Sequence, residues 1–204
     1  MRDLVLQVPK TPQQLIILLH GVGSSPEHLR PIGQLIARNH PDALVVAVAA
    51  PFTDQRGMSQ WFSVQQVTEE NRPSRVSEAM PSFLEALEPW LAKAKMTGSE
   101  IILFGFSQGG IMLLEAAKTS ALNGCQILVC ATRFATLPST KLDAKRIGWI
   151  HGQADPLFPV ALAQQAVNLL NDYGQEIELM LVPGMQHELP AQVLLDWVAR
   201  GIKS

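Results

Sequence analysis

Apolar residues fall along the chain in two rhythms. Short β-like runs at Leu15–Leu19, Leu44–Val48, 101–104, 126–130, Ile147–Ile150 and 176–182, most of them continuously apolar, alternate with longer stretches, 26–39, 74–96, 108–118, 160–172 and 189–202, whose pattern is helical. An unbroken apolar run predicts a strand covered on both faces, because a strand with one wet face alternates apolar and polar positions. The 3.6-residue rhythm predicts helices with one buried stripe. Their alternation along the whole chain predicts an α/β fold, a mostly parallel central sheet with helices on both faces. Leu4–Val8 reads as one extra edge strand, antiparallel to the rest. Pro81 and Pro89 lie inside 74–96. A proline removes an amide N–H and crowds the carbonyl four residues back, so this helix is expected to be kinked or split. The stretch 49–73 is the one long irregular segment, of a length that usually marks a functional loop.

Composition narrows the class. With 204 residues, 47% hydrophobic and 17% charged, the chain suits a single domain, residues 1–204, with a large core. A net charge of −2 without a basic run argues against nucleic acid as a partner, since phosphate binding needs clustered Lys and Arg. Cys125 and Cys130 are the two cysteines. Five apart in a strand-like run, they point to opposite faces and are expected to be buried and reduced, as in a cytoplasmic protein. No apolar stretch reaches bilayer-spanning length, so no integral membrane segment is expected. Neither an export signal nor a terminal lipidation motif is read at either end.

The chemistry lies at the ends of the apolar runs. Gly105-Phe106-Ser107-Gln108-Gly109 follows the run 101–104 and precedes a helical stretch, which is the strand–turn–helix setting of a G-x-S-x-G nucleophile elbow. A serine on so tight a turn needs glycines around it, because the residues two before and two after come close together. Ser107 also needs a base and an orienting acid, expected in the order Ser, acid, His. Asp155 sits in His151-Gly152-Gln153-Ala154-Asp155-Pro156, a loop just past a strand. Asp172 and Asp196 fall in helical stretches, and Asp143 lies between Lys141 and Lys145. The candidate base is His187, the histidine that follows Asp155, on a loop after the run 176–182. An imidazole ordinarily titrates near pH 6.5, which suits proton transfer at neutral pH. His20 and His151, each ending a buried run before a glycine, read as structural hydrogen-bonding residues, and His28 and His40 as surface residues. Acyl transfer also needs backbone N–H donors for the oxyanion. The amide of Gln108, at the start of a helix, is one candidate. The other is Val22, in the Gly-rich loop His20-Gly21-Val22-Gly23-Ser24-Ser25, which lacks the spacing of the phosphate-binding glycine loops.

Together, His20-Gly21-Val22-Gly23, Gly105-Phe106-Ser107-Gln108-Gly109-Gly110, His151-Gly152-Gln153-Ala154-Asp155-Pro156 and Gly184-Met185-Gln186-His187 resemble, in order, the signatures of the phospholipase/carboxylesterase family of α/β-hydrolases, which includes acyl-protein thioesterases and small bacterial carboxylesterases. The resemblance spans roughly residues 14–200. It implies an α/β-hydrolase fold with Ser107 as nucleophile, Asp155 as acid, His187 as base and the amides of Val22 and Gln108 as oxyanion hole. Trp61-Phe62-Ser63 resembles the family's Trp-Phe-Asp segment, with serine in place of the aspartate.

The segments after residues 130 and 151 are too short for a helical lid, so no cap domain is expected. In 49–73, Met58, Trp61 and Phe62 either line an acyl groove or pin the loop to the core, and Leu157 and Phe158 stand equally open between the two roles. Trp61 and Leu157 are carried forward as substrate-binding candidates. No cofactor is implied, and no His, Cys and carboxylate cluster has metal-ligand spacing. The expected substrate is a small-molecule ester or thioester, or an acylated protein. Peptide or lipid-ester cleavage on the same three residues, and a non-catalytic hydrolase-like binding protein, are the alternatives. Acyl length, leaving group and oligomeric state carry no signature in the spacing.

Overall fold

The computed structural model describes residues 2–96, 98–122 and 124–201. Seven strands form one sheet: β1 (Leu4–Gln7), β2 (Gln14–Leu19), β3 (Ala43–Val48), β6 (Ile101–Phe106), β7 (Gln126–Cys130), β8 (Arg146–Gly152) and β9 (Ile177–Val182), in the order β1-β3-β2-β6-β7-β8-β9. β1 pairs antiparallel with β3, and every other pairing is parallel. The edge strand therefore lies where the sequence put it, with the predicted hand. A two-stranded hairpin, β4 (Phe52–Thr53) and β5 (Ser59–Gln60), stands apart from the sheet.

Helices cover both faces. Leu15, Ile17 and Leu19 of β2 and Leu103 of β6 point to the face where α2 (Arg72–Ala94), α3 (Gln108–Ala116) and α4 (Val160–Asp172) supply Phe83, Leu87, Leu113 and Val167. The alternate residues Ile16, Leu18, Ile102 and Phe104 meet α1 (Arg30–Asn39) and α5 (Ala191–Gly201) through Ile36, Leu194 and Trp197. Two covered faces explain the unbroken apolar runs, since each successive side chain enters one core or the other. Cys125 and Cys130 lie buried in opposite cores with free thiols. Burial pushes the Cys125 thiol up to about 12 and raises that of Cys130 further.

Three expectations need adjustment. Of the two outcomes expected for the proline-bearing helix, a split does not occur: it runs without a break from Arg72 to Ala94. Its buried stripe is Val76, Ala79, Phe83 and Leu87, while Pro81 and Pro89 are exposed. The carbonyls they leave unbonded, on Ser77 and Glu85, also belong to exposed residues, where water serves them. The stretch 49–73 is not irregular throughout. Its first part folds as the β4–β5 hairpin, whose turn is closed by Asp54: one carboxylate oxygen accepts the amides of Arg56 and Met58, each at 2.8 Å. An aspartate bonding amides two and more residues on is a turn-forming device. The stretch 26–39 divides into a 3-10 turn, Pro26–Leu29, and α1. The helix expected over 189–202 is α5, with Ile202 outside the described residues.

Among the described residues no helix is long and apolar enough to cross a membrane. No helix interrupts the connection from β7 to β8 or the seven residues between β8 and α4.

Candidate active site

Ser107 stands between the last residue of β6 and the first of α3, with φ 51° and ψ −115°. That backbone shape is costly for any residue with a side chain. It is held by Ser107 N–H donating to the Cys130 carbonyl at 3.0 Å and by the Thr132 hydroxyl donating to the Ser107 carbonyl at 2.8 Å. The turn doubles the chain back so closely that a Cβ on Gly105 would lie 2.7 Å from Gly110 Cα and N, and one on Gly109 2.8 Å from the carbonyl oxygens of Leu19 and His20. Both glycines read from the motif are sterically required.

The loops after β6, β8 and β9 bring Ser107, Asp155 and His187 into one hydrogen-bonded line. His187 Nε2 lies 2.9 Å from Ser107 Oγ, and His187 Nδ1 lies 2.9 Å from Asp155 Oδ2. Since the carboxylate only accepts, Nδ1 carries the ring proton and Nε2 is free to accept from the serine hydroxyl. Asp155 Oδ1 takes the amides of Leu157 at 2.8 Å and Phe158 at 2.9 Å. Burial alone would raise the Asp155 carboxyl. The Phe158 amide, the His187 ring and the Leu157 amide outweigh it and hold the carboxyl below its ordinary value. The Asp155 side chain is fully buried, whereas the His187 side chain keeps 15% of its surface exposed.

Two aromatic rings pack against the imidazole, Phe106 at 5.2 Å and Phe158 edge-on at 5.5 Å between centroids. A cross-link between the loops sets its height. Gln153 N–H donates to the Val182 carbonyl at 3.1 Å and Ala154 N–H to the Met185 carbonyl at 3.0 Å, and Gly152 permits this approach because any Cβ there would overlap the Met185 carbonyl oxygen.

Val22 and Gln108 belong to the two segments that adjoin the serine. The loop carrying Val22 presses against Ser107, for a Cβ on Gly21 would be 3.2 Å from Ser107 Cβ. In that loop Gly23 N–H is taken by the Ser59 carbonyl and Ser24 N–H by that of Gly21, whereas among the described residues the Val22 N–H meets no acceptor. Gln108 opens α3, where amides have no helical partner and the dipole is positive.

The remaining histidines do structural work. His20 Nδ1 donates to the Gly21 carbonyl at 2.8 Å and its Nε2 accepts Ala50 N–H at 3.2 Å. Burial depresses its pKa, against the opposing pull of the Gly21 carbonyl. His151, fully buried, donates from Nε2 to the Phe158 carbonyl at 2.8 Å and accepts the Trp149 indole N–H. His28 is exposed, and His40 is only partly so.

The substrate-binding candidates separate. Trp61 is 0% exposed, its indole N–H donating to the His20 carbonyl at 2.8 Å, and Phe62 is buried with it. Both pin the loop to the core, so Trp61 has no surface to offer a substrate. Leu157 is 64% exposed beside Asp155, and Phe158 lies against the imidazole. Ser63, at the position resembling the family's aspartate, has its carbonyl held by Arg75 at 3.1 Å. A cleft of about 590 Å³ opens between the hairpin and α2, bordered by Phe52, Gln60, Phe62, Ser63, Arg75 and Glu78. Four partners escaped the sequence reading: Thr132 behind the elbow, Phe106 as a wall, Gly152 as the point of loop contact, and the Gln108 side chain. Only Gly152 had a readable signal, as a glycine ending a buried run.

Comparison with known proteins follows the same line. The phospholipase/carboxylesterase family profile matches residues 3–199. The chain is 39% identical over 188 residues to Esterase YpfH of Escherichia coli (strain K12), covering 91% of this chain and 81% of that protein. It is 22% identical over 215 residues to acyl-protein thioesterase 1 of Mycosarcoma maydis, covering 92% and 90%. Among solved structures, esterase PE8 superposes with a TM-score of 0.83 over 98% of this chain and 99% of that one, at 22% identity. That likeness shows the α/β-hydrolase fold.

Proposed function

The chain belongs to the phospholipase/carboxylesterase family and is a carboxylic ester hydrolase, and we propose that it cleaves its substrate through an acyl-Ser107 intermediate. His187 Nε2 takes the Ser107 proton as Oγ attacks the ester carbonyl carbon. The carbonyl oxygen becomes an oxyanion and is met by the amides of Val22 and Gln108, each such donor being worth about 3 kcal/mol in the transition state. The intermediate collapses, the C–O bond to the alcohol breaks, and His187 returns the proton to the departing oxygen. Water then repeats the sequence: His187 takes its proton, hydroxide character develops at the acyl carbon, and Ser107 leaves with the proton restored. Asp155 keeps the ring proton on Nδ1 and stabilises the imidazolium that forms twice per cycle.

The observation that carries this reading is the continuous relay from Ser107 Oγ to His187 to Asp155, with both contacts at 2.9 Å. Ser107→Ala should lower kcat on p-nitrophenyl acetate by about 10⁴-fold or more while leaving the circular dichroism spectrum unchanged. A Ser107→Ala protein that hydrolyses the ester within about tenfold of the parent sinks the assignment.

Thioesters are the second reading, favoured by the relative named as an acyl-protein thioesterase, and the same steps apply with a thiolate leaving. We also read residues 1–204 as one cytoplasmic domain, supported by two unbridged cysteines in the manner of reduced compartments.

A further inference from the structure

We infer that the side chain of Gln108 is a positioning residue that, through the segment Ser59–Phe62, locks the two oxyanion amides into one rigid unit. The inference rests on the acyl-Ser107 reading above. The two amides belong to loops that leave different strands. β2 and β6 pair up to Leu19 and Gly105, and beyond that register no sheet ladder fixes the Val22 loop against the start of α3. An oxyanion hole works only when its donors are already in place before charge develops, so some other link must span the gap.

Ser59–Phe62 spans it. The Gln108 carboxamide, buried with its residue 2% exposed, accepts Trp61 N–H at 2.8 Å on Oε1 and donates from Nε2 to the Phe62 carbonyl at 2.7 Å. A side-chain amide that pairs with both an N–H and a neighbouring C=O acts as one rung of a sheet ladder. From the other side, the Ser59 carbonyl accepts Gly23 N–H at 2.8 Å and the Trp61 indole donates to the His20 carbonyl at 2.8 Å. Val22 is thus bracketed at residues 20 and 23 by the same four-residue strut that holds Gln108. The strut is itself immobilised, with Trp61 packed edge-on against Phe83 of α2 at 5.4 Å. The glutamine carboxamide has both a donor and an acceptor at this reach; ionised glutamate has no donor, and methionine has no donor and only a weak thioether acceptor.

The test compares Gln108→Met and Gln108→Glu in the full chain with p-nitrophenyl acetate as substrate and an aryl trifluoromethyl ketone as an analogue of the tetrahedral adduct. Gln108→Met should lose about 10- to 100-fold in kcat with KM changed less than about threefold, and should bind the ketone more weakly in proportion. Gln108→Glu should gain activity relative to the parent as pH falls, because a protonated carboxyl again donates to the Phe62 carbonyl. Because acid also relieves any folding defect caused by a buried carboxylate, the circular dichroism spectrum is read at each pH, and the gain should persist per folded molecule. If Gln108→Met does not fold, the Gln108→Glu profile decides alone. A kcat within about twofold of the parent, or a Glu-to-parent ratio flat across pH, overturns the inference. An active Ser107→Ala brings down the underlying reading, whereas normal Gln108 variants beside an inactive Ser107→Ala bring down only the strut.

Discussion

Asp155 is surrounded by donors: two amides on one oxygen and an imidazole on the other. Because these hold its carboxyl below the ordinary value despite burial, the ionised form stabilises the folded chain at neutral pH. The sign follows from linkage. A depressed carboxyl contributes stability above the unfolded value, near 3.9, and loses it as pH falls through the folded value. Asp155→Asn, which keeps an acceptor but not the charge, should melt below the parent at pH 7, and the gap should narrow as pH falls through about 4 and below. A gap unchanged between about pH 7 and 3 contradicts the role given to the charge. All three members of the relay were legible as residues, since each ends a recognisable run. Their mutual geometry was not, because it depends on Phe106, an apolar residue inside the elbow motif, on Phe158, whose role the sequence left open, and on Thr132, an ordinary loop residue.

The loops that carry the site are short and rigid because they are braced against one another. The loop after β8 and the loop after β9 meet where Gly152 passes the Met185 carbonyl. Gly152→Ala should force that carbonyl away and displace His187 by a fraction of an ångström or more. Misplacement on this scale can cost about 100-fold in rate, so kcat should fall by that order with the far-ultraviolet spectrum preserved. Parent-like kinetics would mean that the two loops do not set the position of the ring. Element existence was readable from periodicity, and α4 falls on its predicted 160–172. Two of the elements that came out differently did so for separate reasons. In α2 the prolines lie on the wet side, where periodicity cannot tell an exposed proline from a disruptive one. In the hairpin the strands are two residues each, too short to show any period, and only the Asp54 turn chemistry marks them.

At the scale of the whole molecule, the doubly covered sheet is what made the fold legible. Both cores draw on the same strands, so the interiors of the central strands β2, β3, β6 and β7 are apolar and their runs stand out. The specificity of the site was not legible, because substrate surfaces are built where elements distant in sequence meet. Trp61 illustrates the limit: its composition fits a substrate wall as well as a core pin, and only the His20 carbonyl and the Phe83 ring decide between them.

The backbone at position 107 has a last consequence, for heat resistance. A φ of 51° suits glycine, and a residue forced into such a region holds about 1–3 kcal/mol of unfavourable conformational energy. Ser107→Gly should therefore be inert and yet unfold several degrees above the parent in a calorimetric scan, at about 2–4 °C per kcal/mol for a chain of this size. Selection for thermal endurance by itself would erode the enzyme at this one position, and only simultaneous selection for turnover would keep the serine there.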